Sequence, residues 1–202
     1  MEYPSKVFQK AVESFMQLPG IGKHGAVRLT LHLLKQPIHL TENMANSIHN
    51  LVHQIVYCEV CHNISDESVC HICSNNSRNK NLICVVEDVR DVLAIENTQQ
   101  FNGVYHVLGG KISPMQGVGP ADLSILSLKN RINLEQTEIL FALSATIEGD
   151  TTAFYVYRML KDKNLKFSSI SRGIGVGEEL EYTDTATLGK SILNRISYQV
   201  KE

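Results

Sequence analysis

Apolar positions in the first part of the chain recur at helical spacing. Phe8, Ala11, Val12, Phe15 and Leu18 follow Pro4 and Ser5 at the period of a helix packed on one side. The pattern stops at Leu18-Pro19-Gly20-Ile21-Gly22 and resumes with Ala26, Leu29 and Leu33. A third stretch sets Met44, Ile48, Leu51, Val52 and Ile55 on one face, with Thr41 as its predicted N-cap. From about residue 81 the period shortens. Leu82–Glu87, Val104–Leu108, Glu138–Leu143 and Phe167–Ile170 are short apolar runs that predict strands. Helical patterns over Val89–Ile95, Leu123–Leu128 and Thr152–Lys161 alternate with them. That alternation predicts a parallel α/β sheet, whose sites lie at the carboxyl ends of its strands.

Between the two regions stand Cys58, Cys61, Cys70 and Cys73, spaced C-x2-C-x8-C-x2-C. Each C-x2-C turn brings two sulfurs to one side of a tight knuckle, and two knuckles complete a tetrahedron. Soft thiolates in that arrangement select Zn²⁺. With four sulfurs no position is left for water, which defines a structural site. His62 and His71 adjoin ligands, but the cysteines already fill the shell. The alternatives are two disulfides or a redox-active pair. No run like a signal peptide's apolar core and no membrane-length apolar stretch occurs, so the expectation is a cytoplasmic chain with reduced thiols. Cys84, inside Leu82-Ile83-Cys84-Val85-Val86, reads as an inert core residue.

The 202 residues carry a net charge of −2, so the protein as a whole is not a basic nucleic-acid binder. The distribution is uneven. Residues 1–36 hold Lys6, Lys10, Lys23, Arg28 and Lys35 against Glu2 and Glu13, which puts phosphate contact at the N-terminal end. There, Gly20 and Gly22 let backbone approach a ligand closely. The helix after them opens with free N–H groups suited to a phosphate oxygen, and Lys23 and Arg28 add charge on the same side. This stretch resembles a helix-hairpin-helix, which grips DNA backbone without reading bases. Elsewhere, His49 and His53 sit at i, i+4, but Asn50 stands where a zinc-protease motif needs Glu. Gly189-Lys190-Ser191 lacks the glycine-rich cradle of a nucleotide loop, with Asp184 at its first position.

At the predicted strand ends stand Glu87, Asp88, Glu148 and Asp150. One glutamate after a first strand and an acid-x-acid pair after a later one resembles the Toprim fold. Toprim enzymes use such acids to hold Mg²⁺ for phosphoryl transfer, since hard carboxylate oxygens suit that ion. The pair here is Glu-Gly-Asp rather than Asp-x-Asp.

Taken in order, these pieces resemble the RecR family of recombination mediators along essentially the whole chain. The residues that carry the resemblance include Leu18-Pro19-Gly20-Ile21-Gly22, Arg28-Leu29, the cysteine spacing and Ile83-Cys84-Val85-Val86-Glu87. Further matches are Val107-Leu108-Gly109-Gly110, Thr146-Ile147-Glu148-Gly149-Asp150 and Ser171-Arg172-Gly173-Ile174-Gly175. The family pattern has Pro-Lys after the second hairpin glycine, where this chain has Lys23-His24. The resemblance implies an α+β multidomain chain: a helix-hairpin-helix DNA-binding and assembly region (1–56), a zinc module (57–76), a Toprim-like domain with a mainly parallel sheet (77–175) and a C-terminal interface segment (176–202). It implies a non-enzymatic, nucleoid-associated clamp that binds DNA without sequence preference and forms a ring, a tetramer. Its partners would be RecO and, where present, RecF, in loading RecA on single-stranded or gapped DNA. The Toprim acids would then be a partner surface or a vestigial Mg²⁺ site. The alternative is a Mg²⁺-dependent nuclease or primase using Glu87, Glu148 and Asp150. No covalent nucleophile is evident for it, since Tyr155 and Tyr157 fall inside a helical pattern.

Overall fold

Ser5 opens the first helix, its hydroxyl accepting from the Phe8 N–H at 3.4 Å. The structure is a computed structural model and describes residues 3–132, 137–195 and 197. The chain divides into two units, Met1–Ile55 and Val56–Glu202.

In the first unit, helix α1 (Lys6–Met16) packs on α2 (Lys23–Leu33) through Val12 and Ala26, both without exposed surface. Thr30 is buried in α2 and turns its hydroxyl back to the Ala26 carbonyl at 2.9 Å, which satisfies it locally. Helix α3 spans Ile38–Gln54 with Pro37 as N-cap, so the predicted cap, Thr41, lies inside the helix. Proline fixes φ in the helical range and has no N–H to lose, so it can lead a helix one turn earlier than a side-chain cap would. The predicted apolar face of α3 exists but is uncovered: Met44, Ile48, Leu51 and Val52 are 44–75% exposed.

The second unit begins with a two-residue antiparallel ladder, β1 (Val56–Tyr57) on β2 (Ile64–Ser65), and a single turn of helix, α4 (His71–Ser74). The main sheet comes next, in the order β4-β3-β5-β6 and parallel throughout. Its strands are β3 (Asn79–Val86), β4 (Gly103–Val107), β5 (Glu138–Ala142) and β6 (Lys166–Ser169). Ile83, Cys84, Val85 and Val86 are at most 3% exposed and all of β4 is buried, as expected where a parallel sheet is covered on both faces. Helix α5 (Val89–Asn97) starts in a capping box, with Asp88 and Asp91 each accepting from backbone across the first turn. Arg78 grips Glu96 at 2.9 and 2.5 Å while the Tyr105 hydroxyl donates to the same carboxylate at 2.6 Å. This staple ties the start of β3 to α5 and β4.

After β4 the chain crosses back over β3 to reach β5, which makes the β3/β5 crevice the switch point of the sheet. The segment predicted as helix over Leu123–Leu128 resolves into a 3-10 turn at Pro120–Asp122 and helix α6 (Ile125–Arg131). Helix α7 (Ile147–Leu160) begins five residues before the predicted Thr152, because the Thr146 hydroxyl caps it by accepting from the Gly149 N–H at 3.2 Å. Gly149 is required there by close approach: a Cβ would lie 2.0 Å from the Ser144 carbonyl oxygen. The C-terminal segment carries a 3-10 turn at Leu180–Tyr182 and helix α8 (Thr185–Leu193), capped by Asp184. Gly189-Lys190-Ser191 lies inside α8, so it forms no loop. Residues 196 and 198–202 of the expected interface segment lie outside the described residues.

Gly149→Ala should lower unfolding free energy by about 1–3 kcal/mol or more through overpacking against backbone. Gly189→Ala, where a Cβ meets nothing within 4 Å, should be neutral or slightly stabilising. Urea or thermal unfolding of the two variants checks both.

Candidate metal centre and nucleic-acid interface

Four sulfurs meet where the two knuckles close. The Sγ atoms of Cys58, Cys61, Cys70 and Cys73 all lie within 4.8 Å of one another, and Cys61 and Cys70 approach to 3.5 Å. Sulfurs bound to zinc at about 2.3 Å in a tetrahedron stand roughly 3.8 Å apart, so the set fits the ion. Backbone amides steady it: Cys70 N–H donates to Cys58 Sγ at 3.3 Å and Cys73 N–H to Cys70 Sγ at 3.5 Å. Hydrogen bonding with Cys73, and then burial, hold the Cys61 proton on well above the ordinary thiol range. Cys73, receiving that hydrogen bond and facing the Arg131 guanidinium, is drawn down to about 6. Four thiolates this close repel one another until a divalent ion neutralises them. All five cysteines are free of disulfides, and burial pushes Cys84 up to about 12, as an inert core thiol requires.

The metal knuckles are bolted to the sheet. The Val107 N–H donates to the Cys61 carbonyl at 2.8 Å, so edge strand β4 ends on the first knuckle. His62 takes a left-handed backbone (φ 61°), and its Nε2 lies 2.7 Å from the Ser127 hydroxyl of α6. Its ring meets that of His106 edge-on, with centroids 5.3 Å apart. His106 is fully buried, with Nε2 2.7 Å from the Ser124 carbonyl. Neither His62 nor the exposed His71 belongs to the sulfur cluster. The sequence hid this junction, because nothing in the spacing of His62, His106 and Ser127 joins them.

In the hairpin, α1 ends at Gln17 and Gly20 turns the chain with φ +79°. Gly22 is the N-cap of α2, and no side chain caps that end. Gly22, Lys23 and His24 are exposed, so the first amides of α2 are open to an anion. The Lys23 ammonium sits 5.9 Å from the centroid of the Tyr3 ring. Among the described residues neither Lys23 nor Arg28 has an acidic partner. The two cations do not share one face of α2: five positions at about 100° each set them roughly 140° apart, and it is His24 that lies under Arg28.

The four acids at the switch point are each engaged. The Ser144 N–H donates to Glu87 Oε1 at 2.6 Å, closing the crevice between β3 and β5. Asp88 accepts from the Arg90 N–H at 2.6 Å and pairs with the Arg90 guanidinium, which is the first cause of its lowered pKa. Asp150 pairs with Arg172 at 2.6 Å. Glu148 lies in the first turn of α7, its pKa lowered by its own backbone N–H, the Thr146 hydroxyl and Lys111. Lys111 also donates to Ser144 Oγ and Thr146 Oγ1, each at 3.3 Å. Among the described residues the only group of three or more His, Cys, Asp or Glu side chains within metal-sharing distance is the four cysteines. Among the described residues the carboxylates thus form no cluster of three within metal-sharing distance. Because α7 starts at Ile147, Glu148 and Asp150 belong to its first turn, ahead of the helix start expected at Thr152.

These features define a zinc-bearing Toprim protein with an N-terminal helix-hairpin-helix. Family models match along the chain: the RecR helix-hairpin-helix over residues 8–52, the RecR four-cysteine zinc finger domain over 55–75, the Toprim domain over 81–171, and the RecR C-terminal region over 173–196. The recombination protein RecR of Flavobacterium psychrophilum is 59% identical over 200 residues, covering 98% of this chain and 97% of that one. Recombination protein RecR of Amoebophilus asiaticus is 55% identical over 199 residues (98% and 100%), and that of Bacteroides fragilis 53% over 198 (98% and 97%). The chain belongs to the RecR family. Its zinc is structural, and its role lies in recombinational repair.

Removing zinc with a strong chelator, or replacing Cys70 by Ser, should lower the melting temperature and loosen residues 56–76 together with β4. Zinc content beside calorimetry and amide exchange checks this; an unchanged melting temperature with zinc gone would contradict it. The His106 junction gives a pH effect. Burial lowers its pKa from 6.5 to about 3, so the unfolded chain takes up a proton that the folded chain refuses as pH falls below 6.5. Stability contributed by neutral His106 is intact above 6.5 and is lost on acidification by about 1.4 kcal/mol per pH unit. His106→Gln, which can still donate to Ser124, should remove that slope when denaturant midpoints are compared from pH 7 to 5.

Proposed function

We propose that this chain is a non-enzymatic clamp on DNA, acting with RecO, and with RecF where present, to promote RecA loading on single-stranded or gapped DNA. The observation that carries this reading is the uncapped start of α2 at Gly20-Ile21-Gly22, with its exposed amides beside Lys23 and His24 and with Arg28 one turn beyond His24. Amides and cations of this kind take phosphate oxygens and leave base edges unread, so binding is independent of sequence. One such hairpin binds weakly. Several in one assembly raise the effective concentration of the next contact to about the millimolar range.

Assembly is supported by apolar surface that the single chain leaves uncovered. The α3 face is one part. Leu180, Tyr182, Ile192 and Leu193 of the C-terminal segment, 58–80% exposed, are another. We assign both to contacts between copies in a ring, a tetramer by analogy with the family. Glu148 and the exposed Ile147 and Phe154 form an acidic-apolar patch on α7 suited to RecO. The setting is the cytoplasm, at the nucleoid; no helix among the described residues is long and apolar enough to cross a membrane.

The Mg²⁺-dependent nuclease or primase reading gains nothing from the site, since Glu87 and Asp150 are already bound to Ser144 and Arg172.

Changing Lys23 and Arg28 together to Ala should weaken single-stranded DNA binding at least tenfold, lower the slope of log affinity against log salt by roughly one to two, and leave zinc content unchanged. Fluorescence anisotropy across a salt series measures it, and binding that survives moderate salt would overturn the hairpin assignment. Incubation with DNA and Mg²⁺ should give neither cleavage nor primers; turnover abolished by Glu87→Ala would establish the enzyme instead.

A further inference from the structure

The four zinc ligands are not equally protected. Cys58, Cys61 and Cys70 are at most 1% exposed, whereas Cys73 is only partly buried. A cavity of about 180 Å³ reaches Cys73 and is lined also by Val60, Ile83, Lys80 and Arg131. It is several times the roughly 30 Å³ that a water occupies in the liquid, so a small solute can stand against the residue. Two cations meet there. Lys80 Nζ donates to the Cys73 carbonyl at 2.5 Å, and the Arg131 guanidinium is anchored on the Tyr105 carbonyl. The other three sulfurs, all within 4.8 Å, lie on the inner side. Exposure, a nearby positive field and a neighbouring sulfur ready to resolve the product are what make a thiolate susceptible to oxidation.

We propose that Cys73 is a modification site, the point at which hydroperoxides enter the zinc cluster, and that its oxidation releases the ion. In the first step Cys73 Sγ attacks one peroxide oxygen. An S–O bond forms and the O–O bond breaks; sulfur is oxidised by two electrons, and the departing hydroxide, formed beside Lys80 and Arg131, takes a proton to leave as water. In the second step a neighbouring thiolate attacks the sulfenic sulfur. An S–S bond forms, the S–O bond breaks, and a second hydroxide leaves as water. Overall, two thiolates, one hydrogen peroxide and two protons give one disulfide and two waters. Only two thiolates would then remain to hold zinc, too few to retain the ion. The Cys61 knuckle that receives the Val107 N–H then loses its support, so oxidation loosens the end of β4.

The test uses the full chain with its zinc content measured at the outset, so that failure to hold zinc is distinguished from failure of the oxidation. Hydrogen peroxide is added below one equivalent, the reaction is quenched by alkylation, and modified cysteines are mapped by mass spectrometry while a chromogenic chelator follows zinc. Cys73 should be modified first, with about one zinc released per peroxide consumed. Cys73→His, retaining zinc through nitrogen, should release it at least fivefold more slowly, whereas Cys70→His should not. Lys80→Gln should slow release severalfold in a chain with all four cysteines. First modification at Cys58, Cys61, Cys70 or Cys84, equal modification of all four ligands, or unchanged release from zinc-loaded Cys73→His would each overturn the proposal.

Discussion

Mutual repulsion of four sulfurs within 4.8 Å is the constraint on which the second unit depends. Deprotonated together, they tolerate one another only around a cation, and the knuckles they form are too small to hold a core of their own. Ile72 is the one buried aliphatic residue among them. The metal therefore replaces the missing hydrophobic core. Because Val107 ends β4 on the Cys61 carbonyl, the same ion also terminates the edge of the main sheet. Ladder, single-turn helix and edge strand form one mechanical body.

Across the sheet, the switch point shows how an acid-rich site can serve as structure. Glu87 holds the Ser144 amide, Asp88 caps α5, and Asp150 holds the chain just after β6 through Arg172. Each of these carboxylates has a short, local partner. Gly149 makes this packing possible by letting α7 start directly against the Ser144 carbonyl. The fold keeps the Toprim layout, and within it these three carboxylates hold a backbone amide, a helix start and a guanidinium.

Much of this was legible from residue order alone. The cysteine spacing gave the metal centre because the ligands are nearly contiguous and the chemistry of four thiolates admits few answers. Apolar runs located the four parallel strands to within a few residues, most clearly β3, where burial on both faces goes with the unbroken apolar Ile83-Cys84-Val85-Val86. Helix starts were harder. Thr41 has the chemistry of a cap, but Pro37 begins α3 a turn sooner; Thr146, followed by acids in the next turn, begins α7 five residues before the expected Thr152. Contacts between distant residues were invisible: His62 on Ser127, Arg78 on Glu96 and Arg172 on Asp150 arise from tertiary packing, which no periodicity encodes.

The bare amides at Gly22 carry a consequence for how this chain tolerates sequence change. Main-chain donors are supplied by every residue type except proline, so no ordinary exchange of side chain deletes them. What can spoil them is the shape of the turn that presents them, and Gly20, at φ +79°, is where a Cβ would strain that shape. On the proposed role in DNA binding, variation at Lys23 or His24 would retune grip strength, whereas any branched residue at Gly20 would misaim the entire set of donors at once.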